Sequence, residues 1–138
     1  MDIIKVTLNQ AYMPDGTPLK NIRDTAPMDV LCGRGGGTNN HQGNNHWRAL
    51  VAANKRLYIS LPKKQKCLVA KSIVHAIRTQ VPGGRFLSKD TITKLWSDIG
   101  DVKAVEKTSQ ALREGVSQLV LLFMFFDVWY AYLSFKDI

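Results

Sequence analysis

The stretch Asp29-Val-Leu-Cys-Gly-Arg-Gly-Gly-Gly-Thr-Asn-Asn-His-Gln-Gly-Asn44 runs a short apolar strand into five glycines that surround one arginine and one histidine. Glycines at this density mark a backbone that takes positive φ or lies against another surface, so Gly33 and Gly35 are read as turn positions. Two readings stand side by side. In one, the free N–H groups of the loop and the fork of Arg34 cradle an anion, helped by the N-terminus of the helix that follows and by His41 and Asn44. In the other, the loop is a structural turn with a helix cap, and His41 donates to a backbone carbonyl that pins it. It is not a Walker A loop, because Gly43 is followed by Asn44-Asn45 rather than Lys-Ser/Thr. The dinucleotide fingerprint also fails, with Thr38 where a third small residue belongs.

Outward from this stretch the pattern becomes helical. Trp47, Leu50, Val51, Asn54, Leu57 and Tyr58 fall on one face, Asn44 or Asn45 is available as an N-cap, and Pro62 ends the run. A second helix from about Lys63 to Thr79 buries Ala70, Ile73, Val74 and Ile77, and Pro82-Gly-Gly84 stops it. Arg85 to Ser88 and Lys94 to Ser97 then predict a hairpin around the tip Lys89-Asp-Thr91. A third helix follows over Val102 to Glu114, with Asp98 or Asp101 as its cap, Val105, Thr108 and Leu112 inward, and Gly115 at C′. The expected fold is a small single α+β domain: strand and Gly-rich loop, two helices, hairpin, third helix, in an order compatible with a winged helix.

Several separated motifs resemble one family. Asp29-Val-Leu-Cys-Gly-Arg-Gly, His41-x-Gly-Asn44, Trp47-Arg-x-Leu-Val51, Gly84-Arg-Phe-Leu87 and Lys107-Thr-Ser-Gln-Ala-Leu-Arg-Glu114 together look like a domain of unknown function abundant in diatom proteins. The resemblance covers residues 29–115 and departs from the pattern at Gln42, where proline is expected. It implies no activity. The chain therefore divides into a loosely ordered leader at 1–28, with turn signals at Pro14-Asp-Gly16 and Pro18, the domain at 29–115, and a hydrophobic tail at 116–138.

Charge gives the first hint of function. Formal net charge is +8, and 18 of the 19 Lys and Arg with nine of the eleven Asp and Glu lie before residue 116, so the domain itself stands at +9. An anionic partner follows as the first expectation, either nucleic acid or an anionic protein. On the second predicted helix Lys64, Lys71 and Arg78 recur every seven residues, flanked by Gln65 and His75, opposite the apolar face. Such a helix suits a nucleic-acid groove, with Lys64 and Lys71 on phosphates and Gln65 or Arg78 at a base edge, extended by Arg85 and Lys89 and by Arg48, Lys55 and Arg56. The competing reading is a solvated basic face.

Catalytic and metal chemistry are not indicated. Cys32, His41 and His46 have no metal-ligand spacing, and the two cysteines, Cys32 and Cys67, read as reduced, buried residues. Thr108 and Ser109 have no histidine and acid at a recognised spacing, so the chain is read as non-enzymatic and without a cofactor. Gln110 and Arg113 share a helix face and form either a recognition edge or a contact with the glycine loop. No signal peptide opens the chain, which points to an intracellular protein, nuclear or cytoplasmic.

The tail is a different kind of sequence. Residues 119–135 hold seven of the twelve aromatics and no polar face. At 1.5 Å per residue they would cover about 25 Å, a little under a hydrocarbon core of roughly 30 Å. Asp127 would cost about 2.5–3.5 kcal/mol at mid-span, against about −0.3 to −0.6 for each large apolar residue. Translated intron is the favoured reading, because Val116-Ser117 can be encoded by a GTAAGT-like splice donor where the family resemblance ends. A membrane anchor, with the domain on the cytoplasmic side, and a core or partner-facing helix are the alternatives.

Overall fold

Asp29 and Arg85 stand side by side at the starts of two parallel strands, and the fold is built around them. The computed structural model of the chain describes residues 12–34, 36–115 and 129–136. The elements run β1 (Val30–Cys32), α1 (Gly36–Asn39), α2 (Gln42–Ser60), α3 (Lys63–Thr79), β2 (Phe86–Lys89), β3 (Trp96–Asp98) and α4 (Gly100–Arg113). The sheet order is β1-β2-β3, with β1 parallel to β2 and β3 antiparallel to it. The α+β class and the order of the larger elements follow the sequence reading. The hairpin, however, is built into the sheet beside β1, in the register Val30↔Phe86 and Leu31↔Leu87, rather than projecting as a wing.

Alternation along these short strands sorts their side chains onto two faces. Val30 and Phe86 point toward the helices, where Trp47, Val51, Tyr58, Val69, Ala70, Ile73, Val74, Ile77, Ala104 and Leu112 complete the main core. Leu31 and Leu87 point the other way and meet Ile22, with Trp96 packed beside them. The helical stripes are the ones that periodicity predicts. Leu57 departs, being half exposed at the edge of α2. The helix breaks also have local causes, since Pro62 holds Leu61 extended at φ −88°, ψ 150°.

Three buried polar residues join the strands to the rest of the molecule. The Asp29 carboxylate, completely buried, accepts the Arg85 Nη2 donor at 2.7 Å, the Arg85 Nε and backbone N–H at 3.1 Å each, and the Ala26 N–H at 2.7 Å. Arg85 Nη1 donates to the Pro18 carbonyl at 2.8 Å. Asn44 was expected to cap α2, yet the helix begins at Gln42 with His41 in the cap position and no side-chain cap bond. Asn44 instead accepts from the Leu31 N–H at 2.7 Å and donates to the Leu31 carbonyl at 2.8 Å. Its amide thus meets the outer edge of β1 as a neighbouring strand would.

The segment before the domain is also folded from residue 12 onward. Met13 and Ile22 are buried, and Ile22 exchanges both backbone hydrogen bonds with Trp96 at 2.8 Å. The Asp98 N–H donates to the Leu19 carbonyl at 2.7 Å. The expectation of a loose leader is corrected for these residues; the apolar contacts of Ile22 were invisible in a mixed segment. The hairpin is displaced by one to two residues, with Lys89 paired to Trp96 and the loop spanning 90–95. α4 starts at Gly100, where Asp98 Oδ1 accepts the Gly100 N–H at 2.7 Å.

Of the tail, residues 116–128, with the splice-donor position and Asp127, lie outside the described residues. Residues 129–136 are helical, with Trp129, Tyr130, Tyr132, Leu133 and Phe135 exposed. Among the described residues no helix is long and apolar enough to cross a membrane.

Two glycines predict opposite kinds of sensitivity. A Cβ on Gly43 would lie 2.0 Å from the Asp29 carbonyl oxygen, whereas Gly33 has open space but φ +134°. Gly43→Ala is expected to destabilise by more than about 3 kcal/mol through backbone overlap. Gly33→Ala should cost about 1 kcal/mol or a little more through φ alone. Urea unfolding of both variants checks the order. Asp29→Asn, which leaves Arg85 buried against a neutral group, should cost about 3–5 kcal/mol in the same assay.

Candidate functional site

The surface of α3 carries the basic stripe, with one member missing. Lys64, Gln65, Lys71 and His75 are exposed, as is Lys89 on β2, whose Nζ sits 5.8 Å from the centre of the Trp96 ring. Arg78 does not join them. Its Nη1 and Nη2 grip Asp98 at 2.9 and 2.8 Å, and Nε donates to Asp101 at 2.7 Å. Burial works against its charge, but hydrogen bonds and attraction from Asp98 and then Asp101 outweigh this and raise its pKa above the ordinary guanidinium value. Asp98 also accepts the Phe86 N–H at 3.0 Å, so the pair ties α3 to β2 and α4. The assignments of Arg78 and Arg85 to a nucleic-acid surface are corrected accordingly. Both guanidiniums have all three nitrogens engaged inside the molecule, and neither partner was adjacent in sequence.

The glycine loop is divided between structure and surface. His41 Nε2 lies 3.0 Å from the Ala26 carbonyl, an acceptor only, so this nitrogen is the protonated one. Asn44 is buried on β1, as described. Gly33 and Arg34 are exposed, and among the described residues Arg34 forms no ion pair. Gly35 lies outside the described residues.

Two grooves flank α4. The one between α3 and α4, about 560 Å³, is lined by Val74, Val102 and Val105 with Lys71, His75 and Arg78 facing Asp101 and Glu106. Its charges are mixed. The one between α2 and α4, about 470 Å³, has Trp47, Val51, Ala52 and Ala111 with Arg48, Lys55, Lys107 and Gln110, and Glu114 as the carboxylate in its lining. Here the Trp47-Arg-x-Leu-Val51 and Lys107–Glu114 motifs meet. Trp47 Nε1 donates to Thr108 Oγ1 at 3.2 Å, Thr108 donates to the Ala104 carbonyl at 2.8 Å, and Lys107 Nζ stands 4.9 Å over the Trp47 ring. Sequence reasoning named Arg48 and Lys55 only as an extension of the stripe. Lys107 and Gln110 were noted on their helix without the partner that completes the groove.

A division of cations runs through the whole domain. Arg78 and Arg85 form ion pairs with carboxylates, whereas among the described residues no lysine forms one. Lys66, Lys89 and Lys107 rest over the rings of Tyr58, Trp96 and Trp47 instead. No group of three His, Cys, Asp or Glu side chains converges among the described residues.

The cysteines differ from each other. Cys67 is exposed, which corrects the expectation that both are buried, since it lies off the apolar face of α3. Cys32 is half-buried, and burial pushes its thiol pKa up, with Lys107 opposing. Limiting iodoacetamide at neutral pH should therefore label Cys67 well ahead of Cys32 in the folded chain, and peptide mass spectrometry with and without denaturant will show whether the preference depends on the fold.

Comparison with known proteins adds a family and no activity. Searches of curated proteins and of solved structures returned no match. Residues 29–114, well over half of the chain, match a family described as Domain of unknown function (DUF6824), and the chain belongs to that family.

Proposed function

We propose that the domain is a non-catalytic nucleic-acid-binding module. The observation that supports this most directly is the division of charge: the buried Arg85 and the partly buried Arg78 are neutralised by carboxylates, while among the described residues the surface lysines pair with none. The charge of these lysines is therefore presented outward rather than absorbed in the fold. Polyanions gain from such a surface by releasing counterions.

The start of α3 supports the same reading. Its first turn holds Lys63 and Lys64, with Lys66 just beyond and no acidic residue. Cations at a helix N-terminus oppose the macrodipole, each at a cost of roughly 0.3–1 kcal/mol. An arrangement that lowers stability makes sense where it holds an anionic ligand. Lys71, two turns beyond Lys64 on the same face, continues the line.

A second reading, an anionic protein partner such as a phosphopeptide at the Gly-rich loop, is favoured by one observation, the exposure of Arg34 beside an open Gly33. Arg34→Lys keeps the charge but loses the bidentate fork, so binding centred there should fall by at least tenfold.

The test of the main reading is a salt titration of the full chain against duplex DNA, single-stranded RNA and polyglutamate. Lys64→Gln with Lys71→Gln should weaken nucleic-acid binding and reduce the log–log salt slope by about 0.9 for each duplex phosphate that is no longer neutralised, or about 0.7 on a single strand. Lys64→Glu should go further in affinity while raising folding stability by about 0.3–1 kcal/mol. Unchanged affinity and slope in the folded variants, or polyglutamate bound as tightly as nucleic acid, would sink the reading.

A further inference from the structure

The groove between α2 and α4 has three cations that are held in place without being neutralised. Arg48 donates to the Asn39 carbonyl and to Asn45 Oδ1, Lys55 Nζ donates to the Glu114 carbonyl at 2.9 Å, and Lys107 stands on the Trp47 ring. Each partner is neutral. The side chains are thus ordered before any ligand arrives, and their charge stays available to it, which is the arrangement that lowers the entropic cost of binding an anion. The α3–α4 groove is the informative contrast, because there Arg78 is paired with Asp101 and Glu106 adds a second carboxylate to the lining.

Shape and lining narrow the ligand. Ala52 on α2 and Ala111 on α4 leave a concavity of about 470 Å³ with an apolar floor, within the range of about 300–1,000 Å³ typical of small-ligand sites. A duplex groove is entered by a protruding helix, whereas a recess between helices accepts a base splayed out of a single strand. Gln110, exposed at the rim, offers one donor–acceptor amide of the kind that pairs with a base edge. Glu114 opposes anions at the far end of the same helix and can act toward a base only as a hydrogen-bond acceptor.

We propose that this groove is a single-nucleotide subsite for single-stranded nucleic acid, with Arg48, Lys55 and Lys107 on the phosphates flanking one nucleotide, the base on the Val51–Ala52–Ala111 floor, and Gln110 at its edge. The proposal rests on the nucleic-acid reading above and places its specific contact away from the α3 lysines. Those lysines supply general attraction; the groove supplies the choice of single strand over duplex.

The test uses the isotope-labelled full chain and the Trp47 indole N–H as a reporter built into the groove wall, its signal assigned with Trp47→Phe. Adding a six-residue oligothymidylate should shift that signal saturably, and a duplex of matched length should shift it far less. Ala52→Leu, at an exposed position where the fold tolerates the change, fills the recess and should weaken oligothymidylate binding about tenfold, as should Lys107→Gln. Lys64→Gln with Lys71→Gln should lower the salt slope yet keep the Trp47 shift. Oligothymidylate bound at full strength by Ala52→Leu, with the Trp47 signal unmoved in the parent, overturns the groove and leaves the nucleic-acid reading standing. No binding of any nucleic acid overturns both. A larger Trp47 response to a phosphoserine peptide than to the oligonucleotide replaces the proposed ligand class.

Discussion

The buried pair of Asp29 and Arg85 is the contact on which the other parts of this domain depend. The two residues are 56 positions apart, and the chain between them contains α1, α2 and α3. Bringing parallel strands together across so long a connection costs loop-closure entropy before any strand hydrogen bond forms. A charged pair in the interior also costs desolvation, which is offset here because each guanidinium nitrogen and each carboxylate oxygen of the pair has a partner. Those partners are the reason the pair organises so much. Ala26 and Pro18 tie the segment before β1, and the Arg85 backbone ties β2, to one carboxylate.

Asp98 repeats the arrangement at the other side of β2, receiving Arg78, the Phe86 N–H and the Gly100 N–H. Both cations in these pairs are arginines, Arg85 buried and Arg78 partly buried, and the lysines among the described residues stay outside every ion pair. The chemistry of the two side chains accounts for this division. A planar guanidinium matches a carboxylate with two parallel bonds and is weakly hydrated, so it can be buried, while a compact ammonium holds its water and stays outside. The net charge of the domain is therefore a property of its surface, and the interior is electrically closed.

Elements set by local pattern were legible in the sequence. The apolar stripe of α3 through Ala70, Ile73, Val74 and Ile77, the stop at Pro62 and the strand before the glycines all appear where periodicity and breakers put them. What escaped were contacts between distant residues. Asn44 has good capping chemistry, and nothing near it in sequence shows that Leu31 takes its amide. Arg78 and Arg85 looked like members of a basic surface because a helical stripe records spacing and not pairing. The α2–α4 groove is the same case: Trp47 and Thr108, 61 residues apart, had to be brought together before Arg48, Lys107 and Gln110 could be seen to share a recess.

The three-stranded sheet is closed on both sides by something other than a regular strand, Asn44 against β1 and the 19–22 segment against β3. A small sheet usually exposes a row of unpaired amides and carbonyls on which another polypeptide can add itself, the route to β-augmentation, strand exchange and fibrous association. That route is blocked here by one side-chain amide and a few residues of chain. Association at this sheet must then be made through side chains, and side chains can be replaced singly without undoing the backbone. Such a unit can be set next to other folded segments, or repeated at high concentration, without templating its neighbours, and its surface can diverge while its framework stays the same.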